Sequence, residues 1–145
     1  MLIYLDNCCF NRPFDDQTQT RVRLEAEAKL FIQQQIIAGS VGLAWSYMLD
    51  YENSFNPFED RRRAIERWRT RSQVDMVETP ELLDRARQLH ALGLSSKDAL
   101  HVACAIAARC DFFLWDDPLL RKLARQSVIT ALNPLALAAI IGEEL

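Results

Sequence analysis

The chain has 145 residues, 50% of them hydrophobic and 26% charged, which suits one soluble domain with one sizeable core and excludes a fibre or a disordered tail. A net charge of -3 gives no global pull on nucleic acid, so contact with a polyanion has to rest on a local basic surface or on bound cations. No apolar run reaches the roughly 18 to 20 residues of a membrane span, and the N-terminus lacks the basic flank and cleavage site of a signal peptide, so a cytoplasmic protein is expected.

The chain opens on Leu2 to Leu5, an apolar run that stops at Asp6. It reads as a short strand buried on both faces, which suits the middle of a parallel sheet. Asp6, Asn7, Asn11 and Pro13 then impose turn chemistry, and residues 11 to 16 read as a polar loop. Thr18 to Ala38 reads as a long helix. Its apolar stripe is Val22, Leu24, Ala28, Phe31, Ile32 and Ile36, with Gly39 as the stop. Val41 to Ala44 is a second strand, and Ser46 caps a helix that carries Tyr47, Met48, Leu49 and Tyr51 and ends before Pro57.

Glu59 to Arg71 is a strongly charged helix with one narrow apolar stripe, Ala64, Ile65 and Trp68. Val74 to Val77 reads as a short extended connector. Thr79-Pro80-Glu81 starts a helix that runs to Gly93, with Thr79 as cap and Pro80 in the first turn. Ser95 opens an alanine-rich helix reaching Cys110, whose small residues imply close packing against a neighbour. Phe112 to Trp115 is again an apolar run halted by acid, at Asp116-Asp117, and Pro118 begins a helix ending near Gln126. Val128 to Leu132 is the last strand, and Asn133-Pro134 starts a closing helix, Leu135 to Ile141. Strands alternating with helices predict an α/β fold of three layers, α/β/α, around a mainly parallel sheet, in one domain spanning 1–145.

In such a fold ligands collect beyond the carboxyl ends of the strands. Asp6 stands after the first strand, Glu52 on the helix after the second, Asp98 in the first turn of the alanine-rich helix, and Asp116 after the late strand. Carboxylates gathered in a dry cleft repel one another unless a hard divalent cation such as magnesium or manganese sits among them. Each acid also has a structural alternative: Asp6 as a turn cap, Glu52 as a solvated helix residue, and Asp98 as partner of Ser95 in a capping box.

The segments Tyr4-Leu-Asp-Asn-Cys-Cys-Phe-Asn-Arg-Pro-Phe-Asp-Asp16, Trp45-Ser-Tyr-Met-Leu-Asp-Tyr-Glu-Asn-Ser-Phe-Asn-Pro57, Ser96-Lys-Asp-Ala-Leu-His-Val-Ala-Cys-Ala105 and Phe112-Phe-Leu-Trp-Asp-Asp117 resemble, in order, those of the PIN-domain nucleases. The resemblance implies a ribonuclease in which Asp6, Glu52, Asp98 and Asp116 hold Mg2+ or Mn2+ and single-stranded RNA is hydrolysed. It also implies a toxin of the VapC kind, neutralised by an antitoxin protein. A catalytically degenerate PIN fold that binds RNA or protein without cutting is the alternative. In its favour, Leu114 stands where the family often has Thr or Ser, and Asn7 replaces a common Thr.

Asn7 and Arg12 are the candidate contacts to RNA phosphate, with a surface ion pair as the other reading of Arg12. His101, on the same helix face as Asp98, reads as a buried, hydrogen-bonded histidine rather than a catalytic one. Arg61, Arg62, Arg63, Arg67, Arg69 and Arg71 read as a solvated, salt-paired face rather than a rail for RNA, and Trp68 as core. Cys8, Cys9, Cys104 and Cys110 show no zinc-site spacing and read as buried small hydrophobes, with a disulfide left open. The closing helix and the alanine-rich helix offer apolar surface for a homodimer.

Overall fold

The computed structural model describes residues 1–11, 19–114 and 129–144. Its centre is a five-stranded parallel sheet of order β3-β2-β1-β4-β5, made of β1 (Leu2–Leu5), β2 (Gly42–Ser46), β3 (Val74–Met76), β4 (Phe112–Leu114) and β5 (Thr130–Leu132). Ile3 lies opposite Leu43 on one side and Phe112 on the other, so β1 is the middle strand. Ile3, Tyr4 and Leu5 are all buried, as an apolar strand covered on both faces must be. Helices on both faces complete the predicted three-layer α/β/α architecture.

The helices are α1 (Asn7–Asn11), α2 (Thr20–Ile37), α3 (Tyr47–Asn53), α4 (Glu59–Arg69), α5 (Pro80–Ala91), α6 (Ser96–Ala107) and α7 (Pro134–Glu144). Their starts follow cap chemistry: the side chains of Ser46, Thr79 and Ser95 accept from the backbone N–H of Leu49, Leu82 and Asp98. Two readings of the sequence change. The backbone after Asp6 forms the short helix α1 rather than a turn, and residues 74–76 are a paired strand rather than a connector, matched to Ala44, Trp45 and Ser46 of β2. An edge strand of three residues, none of them buried, carries too short a pattern to read. The helix expected from Pro118 to Gln126 lies outside the described residues.

Three helices end alike. At the close of α2, α5 and α6 the N–H groups of Gly39, Gly93 and Arg109 reach the carbonyls of Ile36, His90 and Ile106, and those of Ser40, Leu94 and Cys110 reach Gln35, Leu89 and Ala105. This is the Schellman pattern, which needs a left-handed residue at its turn. Gly39 and Gly93 meet that need at φ 82° and 109°, whereas Arg109 is forced to φ 59° with a Cβ in place. Arg109→Gly is therefore expected to stabilise the fold by about 1 kcal/mol, seen as a rise in the thermal midpoint.

The apolar helices that the sequence offered for a dimer are partly covered within the chain, and Leu135 of the closing helix stays exposed at 43%. Helix α7 packs on α2, with Leu137 and Ile141 buried, while α6 packs on α5, β2 and α3, with Ala99, Ala103 and Ala105 buried. Among the described residues Cys9, Cys104 and Cys110 are free thiols, and burial pushes Cys104 and Cys110 up to about 12, the behaviour of inert core groups. Trp68 is half-buried against the core beside Phe10, as expected. No helix among the described residues is long and apolar enough to cross a membrane.

Candidate metal centre

The chain leaves β1 toward β2 on one side and places β4 on the other, so the strand order reverses between β1 and β4. That reversal opens a crevice at the carboxyl edge of the sheet. Asp6 stands there: its N–H donates to the Leu114 carbonyl at the end of β4, and its own carbonyl accepts from Cys9 in α1. The acid is thus held by the sheet below and a helix above. Leu114 is fully buried, so its side chain belongs to the core and offers no hydroxyl to the cleft.

Glu52 arrives from the next strand. Ser46 ends β2 and caps α3, and Glu52 lies in the last turn of that short helix. Asp98 and His101 come from α6, one turn apart. Potential ligand atoms of Asp6, Glu52 and His101 all lie within 4.8 Å of one another. The His101 Nε2 is 2.7 Å from Glu52 Oε1 and 3.6 Å from Asp6 Oδ1. Asp98 stands outside that trio but within its field.

The electrostatics follow from this crowding. Burial raises the Asp98 carboxyl, and the negative charges of Asp6 and Glu52 raise it further, against the hydrogen bond with Ser95 and the attraction of His101. Asp98 is therefore bonded to Ser95, which caps its N–H, and also feels the acidic cluster. Burial pushes Glu52 upward too, but the hydrogen bond and charge of His101, with the charge of Lys97, outweigh it and leave the carboxyl below its ordinary value. Carboxylate oxygens in a half-buried cleft, one of them reluctant to ionise beside its neighbours, are the donor set a hard divalent cation satisfies.

The structure therefore brings together Asp6 and Glu52, places Asp98 beside them, and adds His101. The sequence was right that His101 is buried and hydrogen-bonded. It did not show that the partner is Glu52, 49 positions away. The one available signal was the spacing of Asp98 and His101 on a single helix face. Asn7 follows Asp6 at the start of α1; Asp116 and Arg12 lie outside the described residues.

Around the C-terminal end of α3 the surface is aromatic. Tyr51, Phe55 and Phe58 are exposed, Phe55 to 67%. Tyr51 and Phe55 meet edge to face at 5.1 Å, and the Arg61 guanidinium lies 4.3 Å above the Phe58 ring. On α4, Arg63 pairs with Glu59, and Arg69 with Asp75 at 3.0 Å and Asp50 at 3.8 Å. Arg63–Glu59 is a pair within the charged helix, whereas Arg69 turns to Asp75 and Asp50 outside it.

A parallel α/β sheet with acidic side chains at its switch point defines the class of domain. The PIN domain family model matches residues 3–126, so the chain belongs to the PIN domain family. Among solved structures it resembles the crystal structure of VapBC2 from Rickettsia felis bound to a DNA fragment from their promoter, with a TM-score of 0.59 and 12% identity over 92% of this chain and 98% of that one. That likeness is one of fold. No curated protein matches the chain.

Proposed function

We propose that this protein is a divalent-metal-dependent endoribonuclease acting on single-stranded RNA, the toxin of a toxin-antitoxin pair. The observation that carries the reading is the convergence of Asp6, at the end of β1, and Glu52, in the last turn of α3, on one buried histidine beside Asp98. Asp6, Glu52 and Asp98 would hold Mg2+ or Mn2+, joined by Asp116, which follows β4 in sequence. The bound cation would supply Lewis-acid activation of water and neutralise charge on the phosphodiester. Asp6 and Glu52 would orient it.

Single-stranded RNA suits what surrounds the cleft. Tyr51 and Phe55, on and just beyond the helix that carries Glu52, are exposed rings of the kind on which unpaired bases stack, and Arg61 lies over the exposed ring of Phe58. Asn7 and Arg12, flanking Asp6 in sequence, are proposed to contact phosphate. The antitoxin partner is supported by the fold likeness to VapBC2, a two-component assembly. Growth arrest on expression, relieved by an adjacent small reading frame, tests that part separately.

Cation binding and cleavage are tested together. Manganese at a hundredfold excess over its dissociation constant is expected to stabilise the folded protein by about 2.7 kcal/mol, raising the thermal midpoint by several degrees, and EDTA is expected to reverse the shift and abolish cleavage of single-stranded RNA. A melt and a cleavage rate both indifferent to EDTA would overturn the reading. Leu114, buried where the family often has a hydroxyl, favours a second reading, a PIN fold that binds RNA without cutting it. Manganese-dependent RNA binding with no product would select that one.

A further inference from the structure

The hydrogen bonds around His101 run inward from the acidic cluster, and chemistry sets their direction. Nε2 faces Glu52 Oε1 and Asp6 Oδ1. An ionised carboxylate only accepts, so Nε2 carries the proton. The other ring nitrogen, Nδ1, is 2.6 Å from the Tyr4 hydroxyl, which is itself 2.6 Å from Ser46 Oγ. In a neutral imidazole Nδ1 then accepts from Tyr4 and the Tyr4 oxygen accepts from Ser46; in an imidazolium Nδ1 donates to the Tyr4 oxygen, and in both forms Nε2–H faces Glu52.

This arm is rigid. Tyr4, Ser46 and His101 are all fully buried. The Tyr4 ring stacks on Phe113 at 5.3 Å with planes 8° apart and meets the His101 ring edge-on at 5.7 Å. The central strand and its neighbour are thereby wired to a carboxylate on α3 through one imidazole.

We propose that His101, anchored by Tyr4 and Ser46, is a positioning residue for Glu52: its Nε2–H occupies one carboxylate oxygen, fixes the side chain, and leaves the other oxygen to the divalent cation. His101 is not itself a ligand. The inference rests on the metal-site reading above. Ligating side chains held by an outer partner typically lose 10- to 100-fold in metal affinity when that partner is removed, about the effect expected here. A ring this close to two carboxylates has one competing role, direct ligation through Nε2, which requires the relay reversed, with Nδ1 donating to Tyr4.

The two roles separate in manganese titrations by calorimetry and in the electron spin echo spectrum of bound Mn2+. The wild-type spectrum is expected to show no directly coordinated nitrogen. Tyr4→Phe keeps the ring stack and deletes only the hydroxyl, and about tenfold weaker manganese binding is expected from it. His101→Gln, whose amide can still donate to Glu52, is expected to keep more affinity than His101→Phe. Melts without metal verify that each variant is folded. A nitrogen on the manganese, or wild-type affinity in both Tyr4→Phe and His101→Phe, would overturn the proposal. Wild-type protein that takes up no manganese would instead remove the metal-site reading and this inference with it.

Discussion

Asp6→Asn is expected to lower metal-dependent cleavage of single-stranded RNA by on the order of a thousandfold, since a cation that loses an anionic ligand forfeits several kcal/mol of charge stabilisation. Asn is nearly isosteric with Asp. The backbone bonds that seat residue 6, its N–H to Leu114 and its carbonyl to Cys9, do not involve the side chain. Without metal the variant is therefore expected to fold, which a melt verifies. Removing this charge also takes away one of the repulsions that raise Asp98, whose carboxyl then moves back toward its ordinary range. A fluorescent RNA cleaved in manganese by both proteins at equal rates would end the assignment of Asp6.

Trp45→Ala is expected to cost about 3–5 kcal/mol of stability, the range for deleting a large buried aromatic side chain. Trp45 is fully buried on β2 and lies against Phe10 at 5.3 Å between ring centroids. Its indole N–H donates to Asp50 at 3.0 Å. Asp50 in turn faces Arg69, which is bonded to Asp75 on β3. The substitution thus opens a cavity between β2 and α1 and leaves Asp50 without its donor. Against a typical total of about 5–15 kcal/mol, such a loss is visible in any denaturant titration, and a change below about 1 kcal/mol would show that Trp45 is not packed as described.

How far the fold could be read in advance depended on whether neighbouring residues alone decided each element. The strand Leu2–Leu5, the Ser46, Thr79 and Ser95 caps and the glycine stops are local, and all stand where the sequence put them. The stripe of α2 was only partly legible. Ala28, Ile32 and Ile36 are buried as expected, yet Leu24 is exposed and Glu25 and Lys29 are buried. A hydropathy pattern assigns charges to solvent and cannot anticipate tertiary burial of a charged turn. Strand β3 was missed for the same reason: its pairing to β2 is decided by a neighbour about thirty positions back, not by its own three residues.

The candidate site divided likewise. Each acid was placed after a strand or on a helix, which is a local matter. Which acids share a cleft is set by the strand order, and that alone brings Glu52 and His101 together on Asp6. The sequence pattern around Asp98 and His101 gave the helix face but not the carboxylate it turns toward. The polar network is therefore the part that only the folded chain displays, and it is also what distinguishes an organised cation site from scattered surface acids.

The most direct test is a crystal soaked in manganese and measured for anomalous scattering. The account predicts a peak about 2.0–2.3 Å from carboxylate oxygens of both Asp6 and Glu52, a distance typical of small divalent cations on oxygen ligands. A crystal saturated with manganese that shows no anomalous peak between these two side chains would contradict it.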